Sequence, residues 1–340
     1  MGRDKAILLI NTGSPLSPSV REVRGYLKTF LSDPRVINVP SWLRGLLVHG
    51  FIAPFRAPRS AKLYASIWQE EGAPLYLYTQ QLAKRVEELS GLPTLVAMRY
   101  NVGSTQQALE EAQRLGVKEL MVVPLFPHYA MSSFESAVAH VAASYKGKGF
   151  DYQIKTAVPY YNHPLFIQAW VEQIVEQVPA ETELLLFSYH GIPLSQARPY
   201  KELPHQDYET QCHKTTQAVL QHPDIRALEI KAKQAYQSRL GPTKWLAPNT
   251  MEVLRSLPKE GYKRVAVVAP SFPCDGLETL WEIGVEGKRE FLQSGGEELI
   301  AVSCPNASDT LARAIIDIAG HDAWVSDDLE LWTAPDLLLR

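Results

Sequence analysis

Cysteine is scarce: Cys212, Cys274 and Cys304 are the only three in 340 residues. An odd, widely spaced set excludes a disulfide framework as the organiser of the fold and fits a reducing compartment. It also falls short of the four thiolates that hold an ordinary iron–sulfur cluster within one chain. Long apolar runs are missing too, and nothing approaches the length needed to cross a bilayer. After Met1-Gly2-Arg3-Asp4-Lys5 only a short apolar strand precedes Asn11 and Gly13, too little for a signal peptide, so a cytoplasmic location is expected. Charge of one sign is not in excess: the formal net charge of −3 leaves no electrostatic footprint for nucleic acid. Several motifs are absent as well. No G-x-G-x-x-G follows a strand, and there is no G-x-x-x-x-G-K-[ST], G-x-S-x-G, H-E-x-x-H or C-x-x-C. Dinucleotide, nucleotide-phosphate, serine-hydrolase and common zinc chemistries therefore find no support.

What is present reads as globular, with 46% hydrophobic and 21% charged residues in a chain long enough for two domains. Ala6–Ile10, Thr94–Met98, Leu120–Val123, Leu184–Phe187, Ala227–Ala232 and Val265–Val268 read as nearly continuous apolar strands. Helical patterns separate them, as at Thr105–Leu115, Pro164–Val178 and Leu277–Gln293. Buried strands alternating with helices predict parallel, doubly wound sheets. The segments also match in pairs. Gly116–Val123 aligns with Gly261–Val268, and both lead into a turn ending in Phe-Pro; Asn11–Pro15 mirrors Tyr189–Pro193. This predicts two similar Rossmann-like α/β domains with a cleft between them, at residues 1–155 and 156–305. A C-terminal helix over 306–320 and a tail over 321–340, with no assigned role, complete the chain. The first half is the longer, and its excess is placed in an apolar lip at about 40–68 that includes Trp42, Leu46, Leu47, Phe51 and Phe55. That segment is either a cleft lip able to touch a bilayer or an ordinary buried helical excursion.

Two features carry chemistry. Glu278, Glu282 and Glu286 recur every four residues after the strand Val265–Val268, giving one helix an acidic edge at the mouth of an open α/β sheet. Such a ladder can relay protons or draw in a cation. The competing reading is a capping box from Asp275 to Glu278 followed by a solvated helix face. On another strand end, Ser188-Tyr189-His190-Gly191-Ile192-Pro193 places an imidazole before a tight Gly/Pro turn. A neutral imidazole there can act as general base or metal ligand; the alternative is a histidine bonded within its own turn.

In combination with Tyr236–Pro242, Trp245-Leu246 and Asp275–Ile283, these segments resemble the ferrochelatase family over roughly Ala6 to Ala319. Lys28–Val36 and Ala61–Pro74 are similar to the family as well. The resemblance implies a chelatase-like fold and insertion of Fe(II) into a porphyrin to form haem. It makes His190 the acceptor of pyrrole protons or a metal contact, and Glu278 its partner. Glu282 and Glu286 become the further rungs of a proton or metal path, on a helix with π winding. Thr12, Arg99, Tyr100, Trp245 and the loop from Phe126 to Met131 fall where family residues line the macrocycle. Arg56 and Arg59 are candidates to meet the propionates. Three departures from the family pattern matter. Gly72-Ala73-Pro74 replaces the common Gly-Ser-Pro, and Thr12 stands where coproporphyrin-using relatives place tyrosine, which favours protoporphyrin IX. The tail 321–340 has no cysteine, so no iron–sulfur cluster is expected; no tightly bound cofactor is expected either, and Fe(II) is a substrate. Peripheral contact with the inner face of the cell membrane through Trp42–Phe55 is also expected. The rival readings are a non-catalytic tetrapyrrole or haem carrier and a chelatase for coproporphyrin or cobalt.

Overall fold

The computed structural model describes residues 4–197, 206–239, 243–320 and the two-residue strand Val325–Ser326. Two compact units emerge. One comprises Met1–Phe126, Met131–Val158 and Ile315–Arg340; the other comprises Pro127–Ala130 and Pro159–Ala314.

In the first unit β1 (Lys5–Asn11) lies between β2 (Thr94–Met98) and β3 (Glu119–Pro124), parallel to both. Its centre, Ala6–Ile10, is fully buried, as a strand covered on both faces must be. Next come β4 (Gln153–Ala157), parallel to β3, and β9 (Val325–Ser326), antiparallel to β4 at Thr156 and Ala157. One face packs Ala6, Leu8, Ile10, Leu120 and Val122 against Leu109, Ala112, Ala137 and Val141 from helices.

The second unit repeats the plan. The strand β5 (Leu184–His190) lies between β6 (Lys231–Gln237) and β7 (Arg264–Val268), and β8 (Glu298–Ala301) follows, all parallel. Leu184, Leu186, Val265 and Val267 pack with Ile283, Phe291 and Leu299. The strand orders β2-β1-β3-β4 and β6-β5-β7-β8 are the same winding. In each unit the chain leaves the central strand toward one side and returns on the other. The switch point, where doubly wound sheets bind ligands, is therefore β1/β3 in one unit and β5/β7 in the other.

The expected strand Ala227–Ala232 is corrected. Ala227 and Leu228 close the short helix Pro223–Arg226, with N–H bonds to Pro223 and Ile225, and Glu229 turns the chain at φ 48°. The strand begins at Lys231 because β6 is an edge strand, with only Ala235, Tyr236 and Gln237 buried, so it carries no apolar run. The helix expected over Leu277–Gln293 is π-wound over Leu277–Gly287 and α-helical over Lys288–Gln293.

The lip forms a helix over Ser41–Gly45, a π turn over Leu46–Ile52 and an α-helix over Ala53–Ile67. It is two-faced. Val48, Ala53, Ala57, Ala61 and Tyr64 are buried, whereas Trp42, Leu46, Phe51 and Phe55 are each more than half exposed. Among the described residues no helix is long and apolar enough to cross a membrane. Apart from β9, the tail 321–340 lies outside the described residues, as do Leu240-Gly241-Pro242 of the Tyr236–Pro242 segment.

Candidate active site

At the switch point of the second unit, β5 ends in His190 and the chain turns at Gly191. The Gly191 N–H donates to the Gln237 carbonyl at 2.8 Å, and a Cβ on Gly191 would lie 2.6 Å from that oxygen. Only glycine fits this approach. Beyond it, Leu246 donates to the Ile192 carbonyl and Leu194 to the Lys244 carbonyl. These bonds seat Trp245 against the His190 turn, its indole N–H donating to Thr243 Oγ1 at 3.0 Å. The His190 ring is half-buried, with its centroid 6.0 Å from that of Phe272 at 62°. Burial pushes the imidazole below the ordinary histidine range, opposed in part by a bond with the Gly191 backbone. At neutral pH the ring is a free base, ready to accept a proton.

The chain leaving β7 reaches the acidic ladder through Asp275 and Gly276. Asp275 is buried and accepts from Thr279 Oγ1 at 2.7 Å, Asn306 Nδ2 at 2.7 Å and the Cys304 N–H at 3.1 Å. Thr279 Oγ1 also accepts from the Gly276 N–H at 3.1 Å. The capping box read between Asp275 and Glu278 is thus corrected: Thr279 holds the helix start, because entry at Gly276 puts it at the third helical position. Glu278 is released from capping.

The π winding from Leu277 to Gly287 contains all three carboxylates. Its i→i+5 bonding widens the turn, which brings a four-residue repeat closer to one line. Glu278 is half-buried, and burial raises its pKa. Burial also raises Glu282, to about 7, and the Glu278 charge adds to this; bonds from Ser238 and Gln237 work the other way. Ser238 donates its N–H to Glu282 Oε1 at 2.7 Å and its hydroxyl to Oε2 at 2.6 Å. Glu286 sits 3.6 Å from Arg289 at the far end.

One side chain joins the two halves of this constellation. The Gln237 amide accepts from the Ser188 hydroxyl at 2.7 Å and donates to the Glu278 carbonyl at 2.9 Å, with a longer 3.4 Å contact to Glu282 Oε2. Its backbone carbonyl holds Gly191. Neither Gln237 nor Ser238 is evident from sequence as a site residue. Ser238 has φ 65°, a conformation that no sequence pattern signals for serine. Among the described residues no three His, Cys, Asp or Glu side chains converge as a ready metal cage. Imidazole and carboxylate donors are nonetheless suitable Fe(II) ligands.

The first unit holds the remaining candidates. Thr12 follows β1, half-buried, its N–H on Asn11 Oδ1 and its carbonyl accepting from Tyr100 N–H. Arg99 pairs with Asp33 at 2.8 Å and donates through Nε to Ser136 Oγ at 3.0 Å. Tyr100 is only 4% exposed, with its hydroxyl on Asp33 at 3.0 Å. Burial alone would raise the Asp33 pKa, but bonds from Ser136, the Arg35 N–H and Tyr100, with the Arg99 charge, hold it below the usual range. The two macrocycle candidates Arg99 and Tyr100 are therefore tied into a buried ionic cluster. Phe126 is half-buried against the core and Met131 is buried. Arg56 and Arg59 lie exposed on the lip helix, with no ion-pair partner among the described residues.

The ferrochelatase family model matches residues 4–323. A ferrochelatase of Coxiella burnetii is 37% identical over 332 residues, covering 92% of each chain. A ferrochelatase of Vibrio cholerae is 35% identical, covering 89% of this chain and 93% of the relative. A protein of Lactococcus lactis named coproporphyrin III ferrochelatase is 35% identical, covering 95% of this chain and 99% of the relative. Among solved structures, SirB from Bacillus subtilis with Fe3+ superposes with a TM-score of 0.53 at 13% identity, over 94% of this chain and 97% of that one. The Deinococcus radiodurans protein DR2241, described as structurally similar to chelatases, gives 0.52 at 12% identity, over 94% of this chain and 55% of that one. The structural likenesses establish the chelatase-like fold, and the sequence matches place this chain in the ferrochelatase family, the enzymes that insert metal into porphyrin.

Proposed function

We propose that the chain inserts Fe(II) into protoporphyrin IX, the closing step of protohaem formation, with His190 as base and the π-helix carboxylates as the proton or metal path. The observation that carries this reading is the Gln237 junction. It binds the turn of a neutral, half-buried imidazole to a helix whose Glu282 has a pKa of about 7. Insertion exchanges two pyrrole N–H protons for one divalent cation, so the protein must accept protons at the ring face and release them. His190, neutral at pH 7, takes a proton from a pyrrole nitrogen. Glu278 receives it, because burial makes its carboxylate more basic than usual. Glu282 is poised to gain and lose a proton at neutral pH, and Glu286 beside Arg289 is the outward rung. The same oxygens suit Fe(II) in transit.

Thr12, Phe126 and Trp245, all half-buried, are assigned to macrocycle contact; Arg99, Tyr100 and Met131, ion-paired or buried, are assigned to the wall behind it. Arg56 and Arg59 are assigned to the propionates, as guanidiniums suited to carboxylates and without an ion-pair partner among the described residues. Apolar walls gripping the ring also convert remote binding energy into ring distortion. Threonine at position 12 supports protoporphyrin over coproporphyrin. The exposed Trp42, Leu46, Phe51 and Phe55 support peripheral contact of a cytoplasmic protein with the membrane face.

The test is anaerobic incubation with Fe(II) and either protoporphyrin IX or coproporphyrin III, following porphyrin fluorescence and metalloporphyrin absorbance. Turnover with protoporphyrin is expected, collapsing in His190→Ala and Glu278→Gln while porphyrin binding persists. Porphyrin binding without turnover would make the protein a carrier, and a higher kcat/KM for coproporphyrin would reverse the substrate assignment.

A further inference from the structure

The His190 peptide is held on both sides. Its N–H donates to Ser271 Oγ at 3.2 Å, and its carbonyl accepts from the Tyr208 hydroxyl at 2.7 Å. The Tyr208 and Ser271 hydroxyls are 3.1 Å apart. Proton accounting fixes the direction of that third bond. Tyr208 has one hydroxyl proton and gives it to the His190 carbonyl, so Ser271 must donate to Tyr208. The bonds therefore close into a ring running from His190 N–H to Ser271, to Tyr208 and back to the His190 carbonyl. Within the ring each hydroxyl donates one bond and accepts one, so each member polarises the next; the Cys212 thiol meets the Tyr208 hydroxyl from outside the ring.

The three members come from separate elements: the end of β5, the loop after β7 and the first turn of the helix Tyr208–Gln221. That helix start is itself fixed, because Asp207 accepts from the Thr210 N–H and hydroxyl. Tyr208 is 4% exposed, and its ring lies 6.0 Å from the buried His128 ring, edge to face. Its hydroxyl is accordingly a fixed point in the core. The next peptide is also tied, through Gly191 to Gln237. Securing both polar atoms of His190 sets its backbone angles and hence the direction of its Cα–Cβ bond.

We infer that Tyr208 and Ser271 are positioning residues that aim the His190 imidazole through this closed ring. The inference rests on His190 being the base. Aim matters because proton transfer needs heavy atoms near hydrogen-bond distance, and a displacement of about 1 Å can cost about a hundredfold in rate.

The experiment compares Tyr208→Phe, Ser271→Ala and Ser271→Thr, each alone and combined with His190→Ala, in anaerobic Fe(II)–protoporphyrin kinetics. Resonances of the His190 ring are recorded in histidine-labelled protein. Tyr208→Phe and Ser271→Ala are expected to lower kcat about tenfold, leave KM for porphyrin essentially unchanged and shift the His190 ring resonances. Ser271→Thr, which keeps the hydroxyl, should restore kcat. In the His190→Ala background neither change should lower the residual rate further. Wild-type kcat in both variants, unmoved His190 resonances, or a further loss without His190 would each overturn the inference. Full turnover in His190→Ala alone would instead remove the base assignment. Should Tyr208→Phe fail to fold, the Ser271 pair carries the same comparison.

Discussion

Replacing Glu282 by Gln gives a stability test of the ladder that requires no substrate. The carboxyl has a folded pKa of about 7 against an ordinary value of 4.5. Between these values the folded chain holds a proton that the unfolded chain has released, so stability falls as pH rises. The extra stability is full below about 4.5 and lost by the time pH passes about 7. A displacement of this size corresponds to roughly 3 kcal/mol at most. The amide of Glu282→Gln would never ionise, and so would escape the loss. Against this, an amide presents only one oxygen to the two Ser238 donors, which costs about 1 kcal/mol at all pH values. The variant should therefore be slightly less stable than wild type at pH 5 and more stable by about 2 kcal/mol at pH 8. Urea denaturation of both proteins at half-unit intervals from pH 5 to 9 measures the difference directly, and groups common to both cancel. A difference that stays flat across this range would refute the raised pKa and with it the neutral-pH relay.

The remaining predictions concern packing, charge and surface. Gly191→Ala should cost about 2 kcal/mol and lower kcat, because its Cβ would press on the Gln237 carbonyl; unchanged thermal stability would count against the close approach. Asp33→Ala should cost about 3 kcal/mol, since it leaves the Arg99 guanidinium without its carboxylate in a mostly buried site. A loss under 1 kcal/mol in denaturant titration would mean that water takes the place of Asp33. Replacing Leu46, Leu47 and Phe51 together by Ser should abolish co-sedimentation with liposomes while preserving turnover with detergent-dispersed porphyrin. Unchanged sedimentation would exclude the lip as the membrane contact.

The central strands were legible because they are buried on both faces: β1, β5 and β7 are apolar runs that announce themselves. The strands β4 and β8 escaped because β4 carries polar residues in Gln153-Ile154-Lys155-Thr156 and β8 has only four residues. The strand β6 was displaced for the same physical reason, an edge position whose first four residues, Lys231-Ala232-Lys233-Gln234, are mostly polar and not buried. In the site, His190 and the four-residue glutamate spacing are local patterns and could be read directly. What holds them is not local. Ser271 is 81 residues from His190, and Ser238 is 44 from Glu282. No periodicity links such pairs; only the β5/β7 and β5/β6 pairings bring them together. Tyr100 and Arg99 show the converse. The family resemblance places them at the macrocycle, whereas their polar atoms face Asp33 and Ser136, partners that sequence spacing does not reveal.

The Gln237 junction has an electrical consequence. Its side chain is an amide, so it joins the imidazole turn to the acidic helix without adding an ionisable group between them. Mechanically the two segments are stitched together; electrostatically the stitch is an insulator. Its polarity is also fixed, because the Glu278 carbonyl and the Glu282 carboxylate both demand a donor while Ser188 offers one. Glutamate at this position would match the shape but reverse the sign, setting an acceptor against two acceptors and a third charge beside Glu282. On the proposed reading, the carboxylates can change their proton count without dragging the imidazole out of line, because the stitch between them carries no charge of its own.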